Sequence, residues 1–274
     1  MKKFKKGDKI SIEERLSEMR ELLKPFIKKY HQPVLVHATP NDFLFKKILR
    51  DGKLIVPKRK KNINHSFIER ILKVYPCIFL SLGFSYASSY DFKYNLIFDL
   101  NYLKEADYYK NSISYKCYLA IIQYWDKNNP EYLKRLANTN SACKEVIHKF
   151  YNQEYLGQRK VLFDFWKVEK ETFSLMNKYP RKRDLVKIMK KVANGLLIKY
   201  PQSLNFVKKT YYADNIPEII VKKDIPLLNN TSFLGFYIRG KVPKEVKSFL
   251  VKRYGNKILF DGKKIIYVDS LRKN

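Results

Sequence analysis

Val34-Leu35-Val36-His37-Ala38-Thr39, followed after Pro40 by Ile48-Leu49-Arg50-Asp51-Gly52-Lys53-Leu54, is the stretch that decides how this chain reads. Val34-Leu35-Val36 is a short apolar run and predicts a buried strand, with His37 at its end. Leu44 through Leu49 predicts a short helix, with Asp42 as a first-turn acid and a glycine cap at Asp51-Gly52. Leu54-Ile55-Val56 is a second short run, and Pro57 and the basic block Lys58-Arg59-Lys60-Lys61 close the segment.

Upstream, residues 1–10 form a basic tail, and Ser11-Ile12-Glu13-Glu14 reads as a capping box. Leu16, Met19, Leu23, Phe26, Ile27 and Tyr30 recur at helical spacing, so an amphipathic helix is expected to about Tyr30, with Pro33 as its break. Downstream, Cys77-Ile78-Phe79-Leu80 and Leu96-Ile97-Phe98-Asp99-Leu100 predict strands around a Ser/Tyr-rich helical segment, 84–90. From 103 to 210 the spacing turns helical, over Tyr115–Trp125, Glu131–Ala137, Ala142–Phe150, Val161–Met176 and Asp184–Tyr200. Strands return at Glu218–Val221, Phe233–Ile238, Lys257–Phe260 and Ile265–Val268, the last two flanking the hairpin signal Asp261-Gly262. The expectation is an α+β fold: a tail and helix in 1–32, half a core in 33–102, a helical insertion in 103–210, and the rest of the core in 211–274.

The charge is lopsided. Lys and Arg total 56 against 26 Asp and Glu, a formal +30, and 44 of the basic residues are Lys. Such a surface attracts polyanions, nucleic acid first and anionic membrane second. The basic tail lacks an amphipathic apolar face, which argues against the membrane. A lysine excess beside many Ile, Asn and Tyr also fits an AT-rich coding bias, but that bias does not explain why acids fail to keep pace. No run approaches the ~18 apolar residues of a span, and no apolar core follows the basic N-terminus as in a secretory signal. Cys77, Cys117 and Cys143 are odd in number and share no ligand spacing, so they read as reduced thiols and the expected compartment is the cytoplasm.

The common catalytic signatures are missing: no phosphate-binding GxxxxGK[ST], no GxGxxG, no HExxH, no GxSxG. His31, His37, His65 and His148 form no pair at metal-ligand spacing, so no metal is expected. His37 is distinct in context. A polar side chain at the end of a buried strand either points into a cleft or satisfies a core hydrogen bond.

These blocks resemble the opening of the ADP-ribosyltransferase fold, in which a strand ends in His-Gly-Ser/Thr and the next helix ends in Ile-Leu-x-x-Gly-Leu. Cys77-Ile78-Phe79-Leu80-Ser81 with Ser85-Tyr86-Ala87-Ser88-Ser89-Tyr90 is similar to the second block of the poly(ADP-ribose) polymerase branch, and Ile78 to Tyr90 aligns without a gap. Glu218-Ile219-Ile220-Val221 is similar to the late strand that starts with the family's catalytic Glu. Together the three blocks cover about a quarter of the chain. The resemblance implies split antiparallel sheets, with NAD as substrate and no metal. His37 and Thr39 would hold the adenosine ribose, and His37 would donate to it. Ala38 would hold the nicotinamide amide through its backbone, Tyr90 would stack on the nicotinamide ring with Phe79 adding stacking area, Ser81 would belong to the same NAD-binding set, and Glu218 would stabilise the oxocarbenium-like transition state.

The departures are specific. Ala38 replaces the motif's glycine and adds a methyl, Phe79 replaces a tyrosine, and Ile216 stands where arginine-modifying relatives carry Glu or Gln. The expected function is therefore NAD-dependent mono-ADP-ribosyl transfer to a macromolecule. Nucleic acid is the first acceptor considered, with Lys58, Arg59, Lys60 and Lys61 as a phosphate-binding block, and protein follows close behind. The alternative is a basic nucleic-acid-binding protein on a degenerate transferase scaffold. RNA 2′-phosphotransferases share the fold but depend on arginines near the His block, where only Arg50 and Arg59 stand. Nucleic-acid-modifying toxins form another branch of this fold, many with a lone Glu at the late strand, and that resemblance implies an inhibitory partner.

Overall fold

β1 (Val34–Thr39) and β4 (Tyr94–Asp99) pair antiparallel over their full length, from Val34 opposite Asp99 to Thr39 opposite Tyr94. They are the centre of a computed structural model that describes residues 12–39, 41–57, 76–84, 93–106, 108–110, 124, 127–128, 130–139, 182–198 and 218–273. The chain is mixed α+β with mostly antiparallel strands and divides into two units: 1–56, 78–107 and 221–274 in one, 57–77 and 108–220 in the other.

In the first unit the strand order is β11-β10-β9-β4-β1-β3, with β3 at Ile78–Leu82, β9 at Phe233–Ile238, β10 at Ile258–Phe260 and β11 at Ile265–Tyr267. Among its described strands only β9 and β10 run parallel, and α5 (Lys244–Arg253) makes the crossover that parallel neighbours need. β2 (Lys53–Leu54) and β8 (Ile225–Pro226) form a separate antiparallel pair. The C-terminal third therefore completes the sheet, as the return of apolar runs after residue 211 predicts.

Alternation along the strands divides the buried residues into two faces. On one, Tyr94 and Phe236 meet α2 (Asp42–Asp51) and the end of α5. Phe45 stacks on Tyr94 at 4.2 Å, and Tyr254 meets Phe236 edge-on at 5.2 Å. On the other, Phe260 meets α1 (Ile12–Tyr30) through Phe26, whose ring lies 5.0 Å from that of Phe260 and 5.9 Å from that of Phe84, and Tyr237 packs on Phe84 and Phe260. Helix, sheet and helix pair thus make three layers, with an aromatic cluster on each face of the sheet.

Local chemistry sets the ends of these elements. Asn41 caps α2 by accepting the Leu44 N–H at 2.8 Å, and Gly52 closes it in the left-handed region at φ 68°, its N–H bonding the Ile48 carbonyl at 2.9 Å. Past α1, His31 takes φ 55° and bonds the Ile27 carbonyl, so the helix ends before Pro33 as expected. Gly235 is required by packing, because a Cβ there points straight onto the Ile258 carbonyl across the parallel pair. Asp261 accepts the Lys263 and Lys264 N–H groups at 2.9 Å and turns the β10–β11 hairpin.

In the second unit β5 (Tyr108–Lys110) lies between β6 (Leu197–Ile198) and β7 (Glu218–Val221), antiparallel to both. The helix expected at Glu131–Ala137 is α3 (Pro130–Thr139), and the one expected at Asp184–Tyr200 is α4 (Lys182–Leu196), which buries Leu185 and Met189 one turn apart. The stretch read as wholly helical thus contains two short strands, and residues 57–77 join it in the same unit. The expected helices at 84–90, 115–125, 142–150 and 161–176, and the Ser11 cap, lie outside the described residues, apart from Phe84 and Tyr124.

Candidate functional site

β1 is pinned between β3 and β4, with Val36 opposite Ser81 on one side and Ile97 on the other. That pairing holds His37 in place. Its Nδ1 lies 2.9 Å from the Phe79 carbonyl on β3. A carbonyl can only accept, so Nδ1 carries the proton. Burial lowers the His37 pKa, and the bond to Phe79 offsets this only in part. The ring is therefore neutral near pH 7, and Nε2 presents a lone pair. Any partner at Nε2 must donate to it, so a ribose hydroxyl there gives its hydrogen bond to His37, the reverse of the direction the family resemblance suggests.

Thr39, two residues on, shares the His37 face. It is 0% exposed, and its Oγ1 has no hydrogen-bond partner among the described residues. Opposite it, the Tyr94 ring stacks on Phe45 and lies 5.0 Å from the Lys93 ammonium, which is 3.9 Å from Asp42.

Ala38 faces the other way, opposite the wholly buried Asn95, and by alternation from Ser81 the half-buried Phe79 shares that face. The Ser81 hydroxyl is 3.2 Å from the Val36 carbonyl and 3.0 Å from the Gly83 carbonyl, so it braces the β1–β3 edge. His37, Ala38, Thr39, Phe79 and Ser81 thus lie on two neighbouring strands, with His37 and Thr39 on one face and the other three on the opposite face. Glu218 is the first residue of β7, opposite Lys110 in the second unit. Tyr90, Lys58, Arg59, Lys60 and Lys61 lie outside the described residues.

Asn95 escaped the motif reading. Its signal is a polar residue inside the apolar run Tyr94-Asn95-Leu96-Ile97-Phe98, and a carboxamide at 0% exposure beside Ala38 gives this end of the sheet hydrogen-bonding capacity. Among the described residues no group of three or more His, Cys, Asp or Glu is placed to hold a metal, and no helix is long and apolar enough to cross a membrane.

No protein-family model, no curated protein and no solved structure matches the chain.

Proposed function

We propose that this chain is an NAD-dependent ADP-ribosyltransferase that modifies a macromolecular acceptor, with nucleic acid as the favoured class. The observation that carries the reading is His37: a neutral imidazole at the end of a central strand, its Nδ1 proton fixed on the Phe79 carbonyl and its Nε2 left as an acceptor. The resemblance puts a ribose of NAD at that position. The buried Thr39 hydroxyl beside it, without a partner among the described residues, supports the reading, since a hydroxyl in that environment costs free energy until something bonds to it.

In the proposed reaction the bond between nicotinamide and C1′ of its ribose breaks, and the electron pair leaves with nicotinamide. Positive charge develops on the ribose, Glu218 stabilises it as a carboxylate, and an acceptor oxygen or nitrogen attacks C1′ and loses its proton. His37 holds the dinucleotide by accepting from a hydroxyl. The net charge of +30 draws a polyanionic acceptor to the protein.

A second reading, a non-catalytic nucleic-acid-binding protein on the same scaffold, is favoured by the opposite facing of His37 and Phe79 and by the Ser81 hydroxyl, which is already committed to backbone. Nicotinamide release from NAD decides between them, measured with and without single-stranded DNA or RNA. Release that falls at least a hundredfold in Glu218→Ala and His37→Ala supports the transferase. No release from a folded protein that still binds nucleic acid supports the scaffold.

A further inference from the structure

Tyr267 is the last residue of β11, the outer strand of the first unit's sheet, and it is 56% exposed. An exposed ring flanked by cations offers a flat face on which an unpaired base can stack. Tyr267 is held in place on one side. The Lys29 ammonium, in the last turn of α1, lies 4.9 Å from its ring centre and 5.5 Å from that of Tyr30. Burial raises the Tyr30 pKa, and the neighbouring Tyr267 and Asp99 add to the shift, so Tyr30 is a neutral phenol beside the Lys29 cation. The Ser270 hydroxyl bonds the Tyr267 carbonyl at 2.6 Å and fixes the end of the strand. Exposed Lys263 and Lys264 stand at the other end of the same three-residue strand.

We propose that this edge is a docking surface for single-stranded nucleic acid, with a base stacked on Tyr267 and neighbouring phosphates met by Lys29, Lys263 and Lys264. An unpaired base offers a flat π-face of the kind an exposed ring takes, whereas the bases of a duplex are already stacked on one another. Cations at both ends of the strand suit a backbone that carries a charge on every nucleotide. The charge of the whole chain is complementary to it as well: the first unit alone carries 29 Lys and Arg against 15 Asp and Glu. The inference rests on the nucleic-acid part of the proposed function and not on the transferase part, because the surface needs neither His37 nor Glu218.

The test is fluorescence anisotropy of a labelled 20-nucleotide single strand titrated with the full-length protein, without NAD. Tyr267→Ala is expected to weaken binding roughly tenfold, while Tyr267→Phe, which keeps the ring, binds as wild type. Lys29→Gln is expected to lower the slope of log affinity against log salt by about one contact. A matched duplex is expected to bind more weakly and to ignore Tyr267→Ala. Wild-type affinity in Tyr267→Ala overturns the proposal, as does equal dependence on Tyr267 for single strand, duplex and a poly-glutamate competitor. Exposed Tyr267 supports no core packing, and a matching thermal melt confirms that its variants are folded. Nicotinamide release is a separate readout, so failure of the stacking surface leaves the transferase reading standing, and the reverse is also true.

Discussion

Thr39 bears a hydroxyl that is 0% exposed and has no partner among the described residues, an arrangement that costs about 1–3 kcal/mol. A residue kept for packing alone has no use for it. Thr39→Val, of nearly the same shape, is therefore expected to raise stability by up to about 1 kcal/mol while lowering nicotinamide release. A drop in melting temperature would show instead that the hydroxyl has a structural bond. His37 makes a separate claim. Its folded pKa lies below the ordinary histidine value, so the unfolded chain binds the proton first as pH falls. Stability is then lost on acidification below about pH 6.5, and His37→Gln is expected to lose less between pH 7.5 and 5 in paired thermal melts. Equal losses in both proteins sink the assignment of a neutral ring.

At the scale of elements, the end of α5 clamps the end of α2. Arg253 donates to the Leu49 and Arg50 carbonyls, and the Tyr254 hydroxyl, whose pKa burial pushes up to about 12, donates to Leu49 at 3.0 Å. These are the carbonyls a helix leaves without intrahelical partners. Arg253→Ala is expected to cost about 1.5–3 kcal/mol in urea unfolding, and a midpoint unchanged from wild type would show that water replaces the clamp. Gly52→Ala is expected to cost a further 1–2 kcal/mol or so, because an alanine at φ 68° is strained and its methyl meets Leu228 at 3.0 Å. Gly52 was legible in the sequence as a cap, and β7, β9 and the Asp261 hairpin were legible as apolar runs with turn residues between them. α5 was not. Only Val246 and Leu250 of its ten residues are buried, too few to raise a periodic signal among so many lysines. β5 and β6 were missed for a related reason, since strands of three and two residues take their identity from their neighbours and not from their own pattern. At the site, the strand-end histidine was visible as a polar residue closing an apolar run. Its tautomer was not, because the Phe79 carbonyl that sets it comes from another strand.

Over the whole molecule the positive charge is shared. The first unit carries 29 basic against 15 acidic residues and the second 27 against 11, so neither half is the neutral scaffold for a basic appendage. Self-repulsion on this scale works against the folded state and is screened by salt. The melting temperature is expected to rise by several degrees between 20 and 300 mM sodium chloride, an approximate figure set by the loss of long-range repulsion. A flat or falling trend would mean that local ion pairs such as Lys53–Asp224 dominate.

The pairing of β4 with β9 sets the order in which the molecule can be made. Tyr94 meets Ile238 across those strands, and the whole second unit's 108–220 segment is translated between them. At ribosomal speeds of about 5–20 residues per second, β4 waits on the order of ten seconds for its neighbour. Throughout that interval a strand with five buried residues in a row stands at the margin of a half-built sheet. Fragments that end before Phe233 are therefore expected to associate through that margin, which analytical ultracentrifugation of such a fragment beside the full chain checks.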